Sequence, residues 1–143
     1  MHKSSHIHVM GTQVYPNGTE DRVDFLTVGS FHERQGDFYI MYQESETTGM
    51  SGVSTSLKVE KDKVTLNRMG AANLRQIFER GVLHHSTYVT PYGSIYLSAL
   101  TEEMEISLTE QGGHITLKYN LIADREPISQ NTLRIIIKED APQ

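Results

Sequence analysis

The chain has 143 residues, no cysteine and a formal net charge of −5, from 13 Lys and Arg against 18 Asp and Glu. Without cysteine there is no disulfide framework, no cysteine-ligated zinc and no thiol nucleophile. The acidic balance lacks the basic face that nucleic-acid affinity needs; the one basic stretch, with Arg68, Arg75, Arg80, His84 and His85, also contains Glu79 and has no interleaved surface aromatics.

Period-two alternation runs through nearly the whole chain and is broken at short intervals by turn residues, the signature of antiparallel sheet. Residues 5–14 form a first strand, with Ile7, Val9, Gly11 and Gln13 on one face and His6, His8, Met10 and Thr12 on the other. Pro16-Asn17-Gly18 is a turn, because Pro presets φ and Gly accepts positive φ. A second strand spans 22–34; Val23, Phe25 and Thr27 alternate, while Leu26 and Val28 make its other face apolar as well, which implies cover on both sides or a bulge at Gly29.

After Gln35-Gly36-Asp37, Phe38, Ile40 and Tyr42 share a face with Glu44. A Ser-, Thr- and Gly-rich loop over 45–52 leads into Val53, Thr55, Leu57 and Val59, a cleanly half-buried strand. Lys61-Asp62-Lys63 closes a hairpin, and Val64 and Leu66 carry the inward face on to Arg68. Residues 73–80 are open to two readings: Leu74, Ile77 and Phe78 have helical spacing between Asn73 as a cap and Gly81 as a stop, yet the segment is short enough for a strand. Strands follow over 82–90, over 94–109 with a bend near Thr101-Glu102-Glu103, and through Ile115, Leu117, Tyr119 and Leu121. A polar loop is expected over 124–131 and a last strand through Leu133, Ile135 and Ile137. Eight to ten strands joined by hairpin-length links fit an all-β, single antiparallel up-and-down barrel occupying 1–143 as one domain, a form that removes exposed edges.

Several local patterns also match a known family in order along essentially the whole chain. They are Gly11-Thr12-Gln13, Gly49-Met50-Ser51-Gly52 with Thr55-Ser56-Leu57-Lys58-Val59, and Val64-Thr65-Leu66-Asn67-Arg68-Met69-Gly70. Phe78-Glu79-Arg80-Gly81, Tyr88-Val89-Thr90-Pro91-Tyr92-Gly93, Gly112-Gly113-His114-Ile115-Thr116-Leu117-Lys118-Tyr119 and Ser129-Gln130-Asn131-Thr132-Leu133 complete the set. The sequence resembles the YwiB-like family of uncharacterised bacterial proteins, mostly from Firmicutes. The resemblance implies a calycin-like β-barrel, the architecture of lipocalins and fatty-acid-binding proteins, and favours a strand over 73–80. It brings no activity, cofactor or catalytic residue, so any step from this fold to ligand binding is analogy.

The candidate site follows from topology. In a meander the ends of the first, third and fifth strands reach one rim, so Gln13, Glu44 and Arg68 converge inside one end of the barrel. Arg68 suits an anionic or hydrogen-bonding ligand, because its planar fork bonds carboxylate or phosphate bidentately. The competing reading is an internal Glu44–Arg68 ion pair that plugs the barrel, since either charge left alone costs several kcal/mol of desolvation. Tyr39, Tyr42, Tyr88, Tyr92, Tyr96 and Tyr119 are many for a chain with no Trp and suit a pocket lining; Tyr88, Tyr92 and Tyr119 are named as site candidates, and Tyr92, in the Pro-Tyr-Gly turn, suits a cap over the barrel mouth. The same residues also serve as ordinary core and surface pairs.

His6 and His8 share a strand face, but no third ligand accompanies them, so no metal or cofactor is expected. No nucleophile elbow or phosphate loop is present, and no catalytic residue is named. Glu102, Glu103 and Glu105 read as a solvated face. The leading expectation is a protein that binds a small, partly apolar and anionic molecule. The alternative is a side-chain-filled structural or interaction module acting through its surface or as a homodimer, hinted at by Leu26, Val28 and Ile136. An enzyme is the third reading and would need a perturbed titratable pair in a cleft. With no apolar run of signal or membrane-span length, the expected location is the cytoplasm, away from membrane and nucleic acid.

Overall fold

The computed structural model describes residues 3–44 and 52–139. Ten antiparallel strands follow one another: β1 (Lys3–Val14), β2 (Glu20–Arg34), β3 (Asp37–Gln43), β4 (Val53–Val59), β5 (Val64–Gly70), β6 (Leu74–Phe78), β7 (Leu83–Thr90), β8 (Gly93–Thr109), β9 (Gly112–Ala123) and β10 (Glu126–Glu139). Each pairs with its sequence neighbour, and β1 pairs with β10, giving the order β6-β5-β4-β3-β2-β1-β10-β9-β8-β7. The two edges, β6 and β7, meet through one backbone pair in which Asn73 and Val89 exchange N–H···O bonds of 2.9 Å each. The result is a nearly closed up-and-down barrel.

The segment with two readings, 73–80, is a strand over Leu74–Phe78. Five residues cannot repay the cost of nucleating an isolated helix, whereas β5 offers a ladder from Val64–Phe78 to Arg68–Leu74. The bend expected near Thr101 is a register shift between Thr101 and Glu103 against β9. It keeps Thr101 fully buried while Glu102 and Glu103 both face outward.

Two expectations are corrected. The polar loop over 124–131 shrinks to Asp124-Arg125, a two-residue hairpin turn in which both residues have positive φ (49° and 67°). Strand β10 begins at Glu126, and Pro127 sits at a register shift between Pro127 and Ser129, the kind of irregularity at which a sheet tolerates proline. Strand β2 is neither covered on both faces nor bulged at Gly29: its pairing with β1 is continuous, and Leu26 and Val28 are 75% and 56% exposed. Gly29 instead marks where β2 parts from β3. Pairing between those strands covers only Ser30–Met41 to Arg34–Asp37. A Cβ at Gly29 would lie 2.2 Å from the Met41 carbonyl oxygen, so only glycine permits the close approach at the fork. The loop expected over 45–52, and with it Gly49-Met50-Ser51, lies outside the described residues except for Gly52.

Register explains why the interior is apolar at one end and polar at the other. Across β3, β4, β5 and β6 the inward rows read Phe38-Val59-Val64-Phe78, then Ile40-Leu57-Leu66-Gln76, then Tyr42-Thr55-Arg68-Leu74. Across β2, β1, β10, β9 and β8 they read Phe25-Val9-Ile135-Ile115-Ile106, then Val23-Gly11-Leu133-Leu117-Met104, then Asp21-Gln13-Asn131-Tyr119-Thr101. The apolar rows bury Ile40, Leu57, Val64, Ile115 and Ile135 at about 1% exposure or less, and with Phe31, the β2 partner of Ile40, they form the core. The polar rows meet at the other end.

Candidate functional site

That polar end holds an open-mouthed cavity of about 470 Å³, within the range of roughly 300–1,000 Å³ usual for small-molecule pockets. Gln13, Glu44 and Arg68 all line it, as the meander geometry requires, and so do Tyr88 and Tyr119. Tyr92 does not. It stands 99% exposed in the turn between β7 and β8, because strand alternation does not govern a turn residue, and it caps nothing.

The alternation set on each strand carries the polar residues inside. Glu44 continues the phase of Ile40 and Tyr42 and is 8% exposed. Its Oε1 accepts a hydrogen bond from the Thr55 hydroxyl at 2.9 Å, while Oε2 is buried with no partner. Arg68 lies opposite Thr55 on the neighbouring strand. Among the described residues its guanidinium donates no hydrogen bond and comes no closer to Glu44 than the 4.0 Å limit of an ion pair; its Nε is buried and unpartnered. The internal Glu44–Arg68 plug is therefore not formed.

Around these charges the cavity wall alternates rings and amides. Burial and the neighbouring Glu44 carboxylate push the Tyr42 phenol well above its ordinary value of 10.0, with Arg68 pulling the other way. Burial likewise raises Tyr119, again against Arg68. Tyr42 packs tilted on Phe25 at 6.1 Å between ring centroids, and Tyr119 on Phe78 at 4.6 Å. At the mouth, Tyr15 hydrogen-bonds both Gln13 Oε1 (3.0 Å) and Asp21 Oδ2 (2.9 Å). Gln76 spans the β6–β7 seam, its Oε1 accepting the Ser86 hydroxyl at 2.8 Å. Because β2 and β3 have already parted, Val23 and Phe25 on one and Tyr42 and Glu44 on the other line the cavity without a ladder between them.

Polar residues at the site that the sequence-derived set lacks include Tyr42, Thr55, Gln76 and Asn131. Tyr42 belongs to the tyrosine set that suits a pocket lining but is not among the named site residues, and Thr55 carries the inward phase of a half-buried strand. Gln76 lay in the stretch left open between helix and strand. Asn131 was assigned to the loop; counting back two from Leu133 would have placed it inward. It is 5% exposed, its Nδ2 donates to Ser129 O and Oγ at 3.3 and 3.0 Å, and its Oδ1 is buried without a partner. No group of three or more His, Asp or Glu able to hold a metal ion occurs among the described residues.

A ten-stranded up-and-down β-barrel with a polar cavity at one end is thus the class to which the chain belongs. It is a member of the family described as a domain of unknown function (DUF1934), whose model matches residues 7–135. The chain is 27% identical over 115 residues to the uncharacterized beta-barrel protein YwiB of Bacillus subtilis (strain 168), covering 80% of this chain and 79% of that one. The crystal structure of the ywiB protein from Bacillus subtilis superposes with a TM-score of 0.86 at 22% identity, covering 98% of this chain and 94% of that chain. The family and fold implied by the sequence resemblance are those found.

Proposed function

We propose that the barrel binds a small molecule in the cavity, with Arg68 as its anchoring contact. One observation carries this reading: a guanidinium lines a partly apolar, open-mouthed cavity and has no counter-ion or acceptor among the described residues. Arg68 is half-buried with its Nε buried and without an acceptor, and an acidic group of a ligand supplies the missing partner bidentately. Val9, Phe25, Leu66, Leu121 and Leu133 offer apolar contact for the rest of the molecule. Glu44, Gln13, Tyr88 and Tyr119 complete the lining, and no catalytic role is assigned to any of them.

Native mass spectrometry of the protein purified from the cells that make it, beside an Arg68→Ala variant, tests the reading. A stoichiometric small-molecule adduct on the wild type, lost from a folded variant, supports it and gives the ligand's mass. A bare wild-type mass counts against a tightly held ligand.

A second reading rests on the outer surface. Leu26 (75% exposed), Val28 (56%) and Met41 (48%) gather on the outside of β2 and β3, where a second copy or a partner would cover apolar area. Light scattering on the wild type and a Leu26→Lys/Val28→Lys variant decides it: a dimer that becomes a monomer supports the surface, and a monomer in both leaves the cavity reading alone.

A further inference from the structure

We infer that the ligand is dipolar: an apolar body bearing a carboxylate at one point and a hydrogen-bond donor, an ammonium or amide N–H, at another. This rests on the ligand-binding reading above and names its chemical class.

The unmet groups of the cavity are of both kinds. Arg68 brings positive charge and N–H donors. Glu44 Oε2 and Asn131 Oδ1 are acceptors, each on a side chain more than nine-tenths buried and each without a partner. The amide of Asn131 is oriented by its two bonds to Ser129, so oxygen is the atom left free.

A simple acid would satisfy Arg68 but leave both acceptors against an apolar chain, and it would add a second negative charge near Glu44. Each buried acceptor without a donor keeps its full desolvation penalty. A simple amine would satisfy Glu44 and leave Arg68 bare. Only a molecule with both functions meets all three groups.

Strand order sets the arrangement. Counted around the barrel, β5 with Arg68 and β10 with Asn131 are five places apart among ten strands, on opposite walls. A donor that meets Asn131 therefore lies apart from the acid, whereas one that meets Glu44, just past the end of β3 and two places from β5, lies nearer to it; Leu66, Leu121 and Leu133 line the same cavity and offer apolar contact.

Calorimetric titration with octanoate, octylamine and the aminooctanoates carrying the amine at the α or the ω carbon tests this. At least one aminooctanoate should bind about tenfold more tightly than octanoate and than octylamine, the worth of one added charge-assisted hydrogen bond. Glu44→Gln should shrink the preference over octanoate, and Arg68→Gln the preference over octylamine. If a variant does not fold by circular dichroism, the wild-type series decides alone. Octanoate binding as tightly as both aminooctanoates, or no binding by either aminooctanoate, overturns the inference. Binding by octanoate alone leaves the cavity as a site for simple acids, whereas no binding by any of the four together with a bare native mass removes the ligand-binding reading too.

Discussion

Thr55 donates its hydroxyl to one oxygen of Glu44 at 2.9 Å and leaves the other oxygen buried and unbonded. The two residues come from adjacent strands, Thr55 lying opposite Tyr42, one inward position before Glu44. This bond helps hold the carboxylate on the cavity wall, where the Tyr42 phenol also stands beside both side chains. Thr55 is fully buried, so Thr55→Val preserves the shape of the site and removes only the donor. The expected cost is about 1–3 kcal/mol of folding stability, the penalty for a buried acceptor left unpaired. Urea denaturation measures it, and a loss below about 0.5 kcal/mol would show that Glu44 finds another partner.

Arg68 allows the cavity to be told from a plugged barrel. Breaking a buried ion pair typically costs about 3–5 kcal/mol, because the surviving charge is stranded. With no such pair formed here, Arg68→Met removes an unsatisfied charge and keeps the apolar stem. Stability is expected to stay within about 1 kcal/mol of the wild type or to rise, while any adduct seen by native mass spectrometry disappears. A fall of about 3 kcal/mol or more in the denaturation midpoint analysis would restore the plug.

The convergence of Gln13, Glu44 and Arg68 could be read from sequence because three unbroken period-two runs carry it. Ile40 and Tyr42 lead to Glu44, Val64 and Leu66 lead to Arg68, and Ile7 and Val9 lead to Gln13; the pleat then fixes the face. Asn131 was hidden because inward polar residues have the composition of a loop: Ser129-Gln130-Asn131 looks solvated until its partner Tyr119 is known. Tyr92 failed for the opposite reason, since a turn has no period to set a side chain's direction. The fork at Gly29 registered as an irregularity, but alternation along one strand says nothing about when that strand loses a neighbour.

Gly29 is the strand fork's most sensitive position. A Cβ there would meet the Met41 carbonyl oxygen at 2.2 Å and Ile7 Cδ1 at 2.6 Å. The first is backbone and the second belongs to a fully buried side chain, so neither yields cheaply. Gly29→Ala is expected to destabilise the fold by about 1–3 kcal/mol, as overpacking of a filled core does. Hydrogen exchange should locate the damage at the β2–β3 pairs Ser30–Met41 and Phe31–Ile40, while the pairing of β9 with β10 stays protected. Uniform loss across all strands would mean that the fork is not a separable element.

The buried phenols give the barrel an alkaline limit. Burial raises Tyr42 and Tyr119 in the folded state above the ordinary tyrosine value of 10.0, which they regain on unfolding. Above that value the unfolded chain has released protons that the folded chain still holds. It therefore binds fewer protons, and the slope of unfolding free energy with pH is negative. Below about pH 10 this contribution is constant and fully present; it is lost progressively as the pH climbs through the raised values. Denaturation midpoints are expected to be flat from this cause up to about pH 10 and to fall beyond it. Tyr42→Phe should flatten that fall more than Tyr119→Phe, because Tyr42 also sits beside the Glu44 carboxylate. An alkaline fall of unchanged steepness in both variants would assign it to other groups and would place the two hydroxyls in contact with water.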